Sequence, residues 1–288
     1  MNLLKAHSKT FHLASQFLPA SMRQDASICY SFCRVVDDIA DESPSTVEAR
    51  KELDVVQSML SDEIAPAGIV EDFILLSQRT EMGLQPALDL LQGMRSDLDP
   101  VVIETDDELD TYCYRAAGTV GLMMCAVLGV RDQAAKAAAL SLGMAMQLTN
   151  ICRDVKEDLF RQRIYLPPFH PSKTPLSQEL LSQESAPLKV QMEIRARVSY
   201  QLSRAEGFYE HAKSGYRALP PGARFAIIFA ANLYRNIGHR LYKKHSSDAL
   251  HGRTIVPFYS KLSIFWNSLI EYRQSQQPAL PAPQCVQS

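Results

Sequence analysis

Ala26-Ser27-Ile28-Cys29-Tyr30-Ser31-Phe32-Cys33-Arg34-Val35-Val36-Asp37-Asp38-Ile39-Ala40-Asp41 is the stretch on which the reading of this chain turns. Its apolar residues recur at helical rather than alternating spacing, so it belongs in the core of a helical protein. Tyr30, Arg34, Asp37 and Asp41 nevertheless follow one another at intervals of four, three and four, with Asp38 at the edge. Such spacing stacks them on one helical face. An apolar helix thus carries one polar, acidic stripe.

A second stripe lies in Gln147-Leu148-Thr149-Asn150-Ile151-Cys152-Arg153-Asp154-Val155-Lys156-Glu157-Asp158, where Asn150, Asp154 and Asp158 are four apart and Gln147 joins their face. Carboxylates and an amide carbonyl are hard oxygen donors suited to Mg²⁺ or Mn²⁺, with diphosphate oxygens filling the remaining positions. Two acidic stripes facing across a bundle repel unless cations intervene, and Lys9, Arg34, Arg153 and Arg163 are candidates to meet the phosphate oxygens directly. Spacing alone is not enough, because Asp106-Asp107-Glu108-Leu109-Asp110 repeats the pattern of Asp37 to Asp41. Thr105 and Glu108 there form a capping-box pair, and acids in a first turn complement the helix dipole, so this copy is assigned to capping.

Working outward, the rest of the 288 residues also read as helices, broken at Ala65-Pro66-Ala67-Gly68, Pro167 to Pro175 and Pro220-Pro221-Gly222. With 46% hydrophobic and 22% charged residues the composition is globular, and a net charge of −2 provides no basic field for nucleic acid. The expectation is a single all-α bundle over residues 1–273, with the Pro- and Gln-rich 274–288 as a disordered tail. The six cysteines show no zinc spacing and read as buried hydrophobes of a reducing, cytoplasmic setting. No stretch approaches the roughly 18–20 apolar residues of a membrane span.

Together these segments resemble the squalene and phytoene synthases, head-to-head prenyl synthases of the isoprenoid-synthase fold. The resemblance runs through His7-Ser8-Lys9-Thr10-Phe11, Tyr30 to Asp41, Tyr112-Cys113-Tyr114-Arg115-Ala116-Ala117-Gly118-Thr119-Val120-Gly121, Gln147 to Asp158 and Arg163-Ile164-Tyr165-Leu166-Pro167, and more weakly Ala231-Asn232-Leu233-Tyr234. It implies a helical bundle around a central active-site cavity. It implies that Asp37, Asp41, Asn150, Asp154 and Asp158 hold Mg²⁺ (or Mn²⁺), with Asp38 in support. Ser8, Lys9, Arg34, Arg153 and Arg163 then line the diphosphate sites, with His7 beside them. Tyr30, Tyr112, Tyr165 and Tyr234 correspond to active-site tyrosines, and Phe11, Ala117, Gly118, Gly121, Gly143 and Gln147 to the lining for prenyl tails; plain helix packing is the competing reading for these.

The run Tyr112 to Leu122, with Gly93-Met94-Arg95-Ser96-Asp97, looks closest to bacterial phytoene synthases. The expected reaction is condensation of two geranylgeranyl diphosphates to phytoene through a cyclopropylcarbinyl diphosphate, in carotenoid biosynthesis. The alternatives are a squalene, presqualene diphosphate or dehydrosqualene synthase acting on farnesyl diphosphate, and a non-enzymatic assembly-factor relative, which would lack the acidic motifs. Near the C-terminus only Arg253 and Lys261 stand where relatives carry a richer basic cluster. Prenyl diphosphates are the expected partners, nucleic acid is not, and the lipid-soluble product predicts peripheral association with the inner membrane face. The stretch Phe225 to Phe229 is either the membrane-facing patch or core; oligomeric state is not legible.

Overall fold

The computed structural model describes residues 13–169, 187–244, 249–251 and 254–276. The Ala26–Asp41 stretch lies within α1 (Ala20–Glu42), followed by α2 (Thr46–Leu60), α3 (Gly68–Thr80) and α4 (Gln85–Ser96). A two-residue strand β1 (Val101–Val102) leads to α5 (Asp106–Cys113), which passes through a π-helical turn (Tyr114–Gly118) into α6 (Thr119–Val127). Next come α7 (Gln133–Arg153), α8 (Val155–Phe160), β2 (Arg163–Ile164), α9 (Leu188–Ala212), α10 (Pro221–Lys244) and α11 (Phe258–Gln276). The all-α expectation holds, with one addition: β1 and β2 pair in parallel, Val101 opposite Arg163. A two-residue pair carries no periodicity from which a sequence could announce it.

Local chemistry sets the helix ends. Ser45 Oγ accepts from Glu48 N at 3.2 Å and Asp132 Oδ1 from Ala135 N at 2.8 Å, each satisfying an orphan donor of a first turn. α6 stops at Gly129, whose φ of +71° lets Val130 N reach back to Cys125 O at 2.8 Å. The predicted breaks at 65–68 and 220–222 mark helix starts, 65–67 and Pro220 being non-helical while Gly68 opens α3 and Pro221-Gly222 open α10, and 167–169 is loop. α11 runs to Gln276, three residues past the expected boundary, and Arg224 of α10 donates to Ser275 O in its last turn at 3.4 Å. The rest of the expected tail lies outside the described residues.

Burial divides the bundle into two halves. One core gathers α1–α4 and α6, with Phe32 and Phe73 stacked at 4.0 Å between centroids. The other gathers α5, α7, α8 and α9 around Leu148, Ile194 and Val198, while Ala116 in the π turn touches both. α7 packs against α6, α9, α10, the π turn and the 3₁₀ turn Lys213–Ala218, and is the axis of the bundle. Where α6 and the π turn meet α7, no side chain fits: a Cβ on Gly121 would fall inside contact distance of the Ala139 carbonyl, and one on Gly143 of the Ala117 carbonyl.

A third cluster corrects one alternative from the sequence. Phe229 is 2% exposed, and its ring and that of Phe225 pack edge-on against Phe17 and Phe265. Phe225 to Phe229 therefore lies in the core, where aromatic quadrupoles favour such arrangements. The five described cysteines are free thiols, four buried and Cys33 partly so; Cys285 lies outside the described residues. Among the described residues no helix is long and apolar enough to cross a membrane.

Candidate active site

The acidic stripe of α1 faces the seam between the two halves. Arg34 Nη1 donates to Asp37 Oδ2 at 2.5 Å and Nη2 lies 2.5 Å from Asp38 Oδ1. Tyr30, one turn earlier, is close enough to raise the pKa of Arg34. Burial, reinforced by the charge of Asp41, pushes the Asp37 carboxyl up to about 6 despite Arg34. Asp41 goes the other way: burial alone would raise it, but Arg163 at 2.7 Å and the pairing Arg161 hold it below the usual carboxylate range.

Asp97, just past α4, sits at the centre of the seam. Tyr112 OH donates to its Oδ2 at 2.9 Å and Tyr165 OH to its Oδ1 at 2.7 Å. The two rings stack at 4.5 Å with their hydroxyls 3.0 Å apart. Burial pushes both phenols well above their ordinary pKa, so they stay protonated donors at neutral pH. Burial also raises the Asp97 carboxyl, against the opposing pull of Arg163 and the two hydroxyls. Arg163 Nε and Nη2 hold the Asp97 carbonyl at 3.2 and 2.9 Å while Nη1 reaches Asp41. The strand pair makes this possible, with Val101 N on Gln162 O at 3.1 Å and Ile103 N on Ile164 O at 2.9 Å delivering Arg163 beside α4.

The second stripe spans a helix junction. α7 ends at Arg153, and Asp154 with φ −103° and ψ 17° separates it from α8. The i→i−4 bonds survive, Asp154 N to Asn150 O at 2.8 Å and Asp158 N to Asp154 O at 2.9 Å, so the spacing of four keeps its meaning. Arg153 Nε donates to Asp154 Oδ1 at 2.7 Å, and Tyr234 of α10 lies near enough to raise the pKa of Arg153. Burial first, and then the charge of Asp154, pushes Asp158 up to about 8, with Arg163 and Arg161 opposing. Asp97 contributes to the shifts of both Asp37 and Asp158, which draws the two stripes to one locus.

Three observations bear on a cation. Asn150 Oδ1 is buried without a hydrogen-bond partner, and Asp37 and Asp158 are held as high-pKa acids by burial first and by the charges of neighbouring carboxylates second. A hard dication relieves all three, since it takes oxygen donors and favours deprotonated carboxylates. Among the described residues, no three His, Cys, Asp or Glu side chains already converge as a metal cage. Arginines instead stand between the carboxylates.

Gln147 is half-buried on the same face of α7 as Asn150, Ala117 is partly buried, and Gly118 is buried. Gly121 and Gly143 serve the close approach of helices described above. His7, Ser8, Lys9, Phe11 and Arg253 lie outside the described residues; Lys261 is on α11 with a partly exposed side chain. Sequence reasoning missed two members, Asp97 and Arg161. Asp97 stood in the Gly93–Asp97 run without a role, and neither belongs to a helical stripe. The second Asp-Asp-x-x-Asp copy behaves as assigned: Thr105 and Glu108 form the capping box, and Arg204 of α9 pairs with Asp106 at 3.1 Å and Asp110 at 2.6 Å.

The squalene/phytoene synthase family profile matches residues 4–260. A phytoene synthase of Arthrospira platensis is 35% identical, the match covering 89% of this chain and 86% of that one. A 15-cis-phytoene synthase of Synechococcus elongatus is 33% identical over the same shares. Among solved structures, a dehydrosqualene synthase in complex with ligand superposes with a TM-score of 0.81 at 28% identity, covering 94% of each chain. The squalene synthase HpnC of Alicyclobacillus acidocaldarius, at 21% identity and a TM-score of 0.68, shares the fold. The chain belongs to the squalene/phytoene synthase family and is a prenyltransferase.

Proposed function

We propose that the enzyme joins two molecules of geranylgeranyl diphosphate head to head, giving phytoene by way of a cyclopropylcarbinyl diphosphate. The observation that carries this reading is the gathering of Asp37, Asp41, Asp154 and Asp158 around Asp97 with arginines interleaved, in a chain whose relatives include phytoene synthases. Asp37, Asp41, Asn150, Asp154 and Asp158 would hold Mg²⁺ (or Mn²⁺), and the orphan Asn150 oxygen and the raised Asp37 and Asp158 fit that role. The ion supplies Lewis-acid neutralisation of a leaving diphosphate.

The remaining chemistry falls to this chain's own residues. Arg34, Arg153 and Arg163 donate to diphosphate oxygens, and because their partners already orient them, little reorganisation accompanies the growth of negative charge. The allylic C–O bond breaks, the electron pair leaves with diphosphate, and the carbocation is attacked by the double bond of the second substrate. Tyr30, Tyr112, Tyr165 and Tyr234 offer π-faces to the cation. Loss of a proton to a diphosphate oxygen or a tyrosine oxygen closes the first ring. A second ionisation in the same site releases the remaining diphosphate, and the rearranged cation loses a further proton to a diphosphate or tyrosine oxygen to give the linear hydrocarbon.

The likeness to a dehydrosqualene synthase favours a second reading in which farnesyl diphosphate is the substrate. One experiment separates them. Purified protein is incubated with each prenyl diphosphate, with Mg²⁺ or with chelator, and the hydrocarbon is identified by mass and ultraviolet spectrum. Phytoene from the longer substrate alone supports the proposal; a C30 product from farnesyl diphosphate replaces it; no metal-dependent diphosphate release from either removes the catalytic reading.

A further inference from the structure

We infer that α11 is a docking face for an anionic lipid bilayer, on which the enzyme lies rather than spans. The inference rests on the proposed function for its purpose, since prenyl diphosphates partition into bilayers and a C40 hydrocarbon dissolves only there. Phe258, Leu262, Trp266 and Ile270 recur every fourth residue and are 77%, 55%, 64% and 54% exposed, with Tyr259 beside them at 66%. The opposite face fixes which way this stripe points. Ile264 and Ser268 are buried, and Asn232 of α10 donates to Ser268 Oγ at 3.0 Å and to Glu271 Oε2 at 2.8 Å. Glu271, the only acid of the helix, is thereby turned toward α10 and away from the stripe.

Phe225 and Phe229 of α10 pack inside, while Phe160, Phe169, Tyr200 and Tyr242 are exposed on separate parts of the chain. Here a Phe, a Tyr and the chain's single Trp stand in solvent on one helical face, beyond what scattered surface apolar residues account for. Trp and Tyr suit the headgroup level, where one end of the ring is apolar and the other wet. Charge selects the occupant. Residues 236–276 carry six Lys and Arg against two Asp and Glu in a chain of net charge −2. Lys261 and Arg273 flank the stripe on α11 itself, and Arg240 donates to Ser260 Oγ at 3.3 Å at its start. An apolar, aromatic face with a basic rim is the signature of a helix lying in an anionic interface.

Other occupants fit less well. A second copy across a two-fold axis would set this basic rim against itself. The residues after Gln276 include three prolines, with Leu280, Cys285 and Val286 as their only large apolar side chains, too little to cover five. No helix among the described residues is long and apolar enough to span.

Trp266 makes the test direct, because it is the only tryptophan and its emission reports on this face alone. Full-length protein is titrated with vesicles of phosphatidylglycerol and phosphatidylcholine, plain or brominated on the acyl chain, and with phosphatidylcholine alone. The expected result is a blue shift and bromine quenching with the anionic vesicles that high salt weakens. Phe258→Ser with Leu262→Ser should reduce partitioning at least tenfold while leaving diphosphate release from detergent-dispersed substrate unchanged. Arg273→Gln should weaken it about fivefold, the equivalent of one basic residue near an anionic surface. Absence of shift and quenching with every vesicle overturns the inference, as does a double variant that binds like the parent. A blue shift that appears without lipid, together with a doubled sedimentation mass, also overturns it in favour of a second copy. Vesicle binding by a protein that releases no diphosphate with metal leaves the docking face standing and removes the catalytic reading instead.

Discussion

The chain contains Asp-Asp-x-x-Asp twice, at Asp37–Asp41 and at Asp106–Asp110, and the two copies do different work. The second opens a helix, where Thr105 and Glu108 cap the first turn and α9 holds the two outer aspartates: Tyr200, Gln201 and Arg204 on Asp106, Arg204 on Asp110. It is a clamp between two helices. The first copy ends a long apolar helix and faces groups from several parts of the chain, namely Arg34 on its own helix, Asp97 after α4, and Arg161 and Arg163 around β2. Like charges crowd it, and the arginines hold it without saturating it. Identical spacing therefore yields a structural clamp where one neighbour satisfies it and a reactive site where carboxylates compete for the same space.

The strongest way to break this comparison is to neutralise one acid in each copy. Asp41→Asn, and likewise Asp154→Asn, should lower metal-dependent diphosphate release by roughly 10²–10³ or more, since electrostatic stabilisation of that order hangs on single groups. Asp110→Asn should leave turnover within about twofold; equal losses from both copies would dissolve the distinction. Asp97→Ala comes next. It removes the shared acceptor of two buried hydroxyls and should cost about 2–4 kcal/mol in urea denaturation, with loss of activity, whereas Asp106→Ala on the more exposed clamp should cost about 1 kcal/mol or less.

A pH series sharpens the contrast further. Asp158 is pushed up to about 8 and Asp37 to about 6, both above the value an unfolded chain gives. Between about pH 4 and those values the folded protein keeps protons that the unfolded chain has released, so metal-free stability should fall as pH rises through that window. Asp158→Asn should flatten the decline in melting temperature, and Mg²⁺ should protect most at the alkaline end. The smallest effect is at the cap: Thr105→Ala should cost about 1 kcal/mol with unaltered turnover.

Much of this was legible before any coordinates. The stripes at 30–41 and 147–158 are periodic, and periodicity is what a helix writes into sequence; capping chemistry likewise separated the two Asp-Asp-x-x-Asp copies. Asp97 and Arg161 were opaque for the same reason inverted. They sit at helix ends and in a turn, where tertiary placement rather than local spacing gives a side chain its partners. The helix break at Asp154 leaves no mark in the sequence, because the hydrogen bonds on either side keep the four-residue rhythm. Phe225 to Phe229 and the Phe258, Leu262, Trp266 and Ile270 stripe are both made of large apolar side chains, yet one packs inward and the other faces out. Composition could not tell them apart, because that depends on which helix covers which.

The pairing of β1 with β2 has a consequence for how the enzyme can be watched at work. A two-residue parallel ladder has no stability of its own; it persists because Arg163 is anchored to the Asp97 carbonyl and Asp41 on the far side of the seam. The amides of Val101 and Ile103, which donate across the ladder, should therefore exchange with deuterium at a rate set by the engagement of Arg163. Two backbone protons far from any helix stripe become a clock for the site, slowing when an anion locks the arginine and quickening when it lets go.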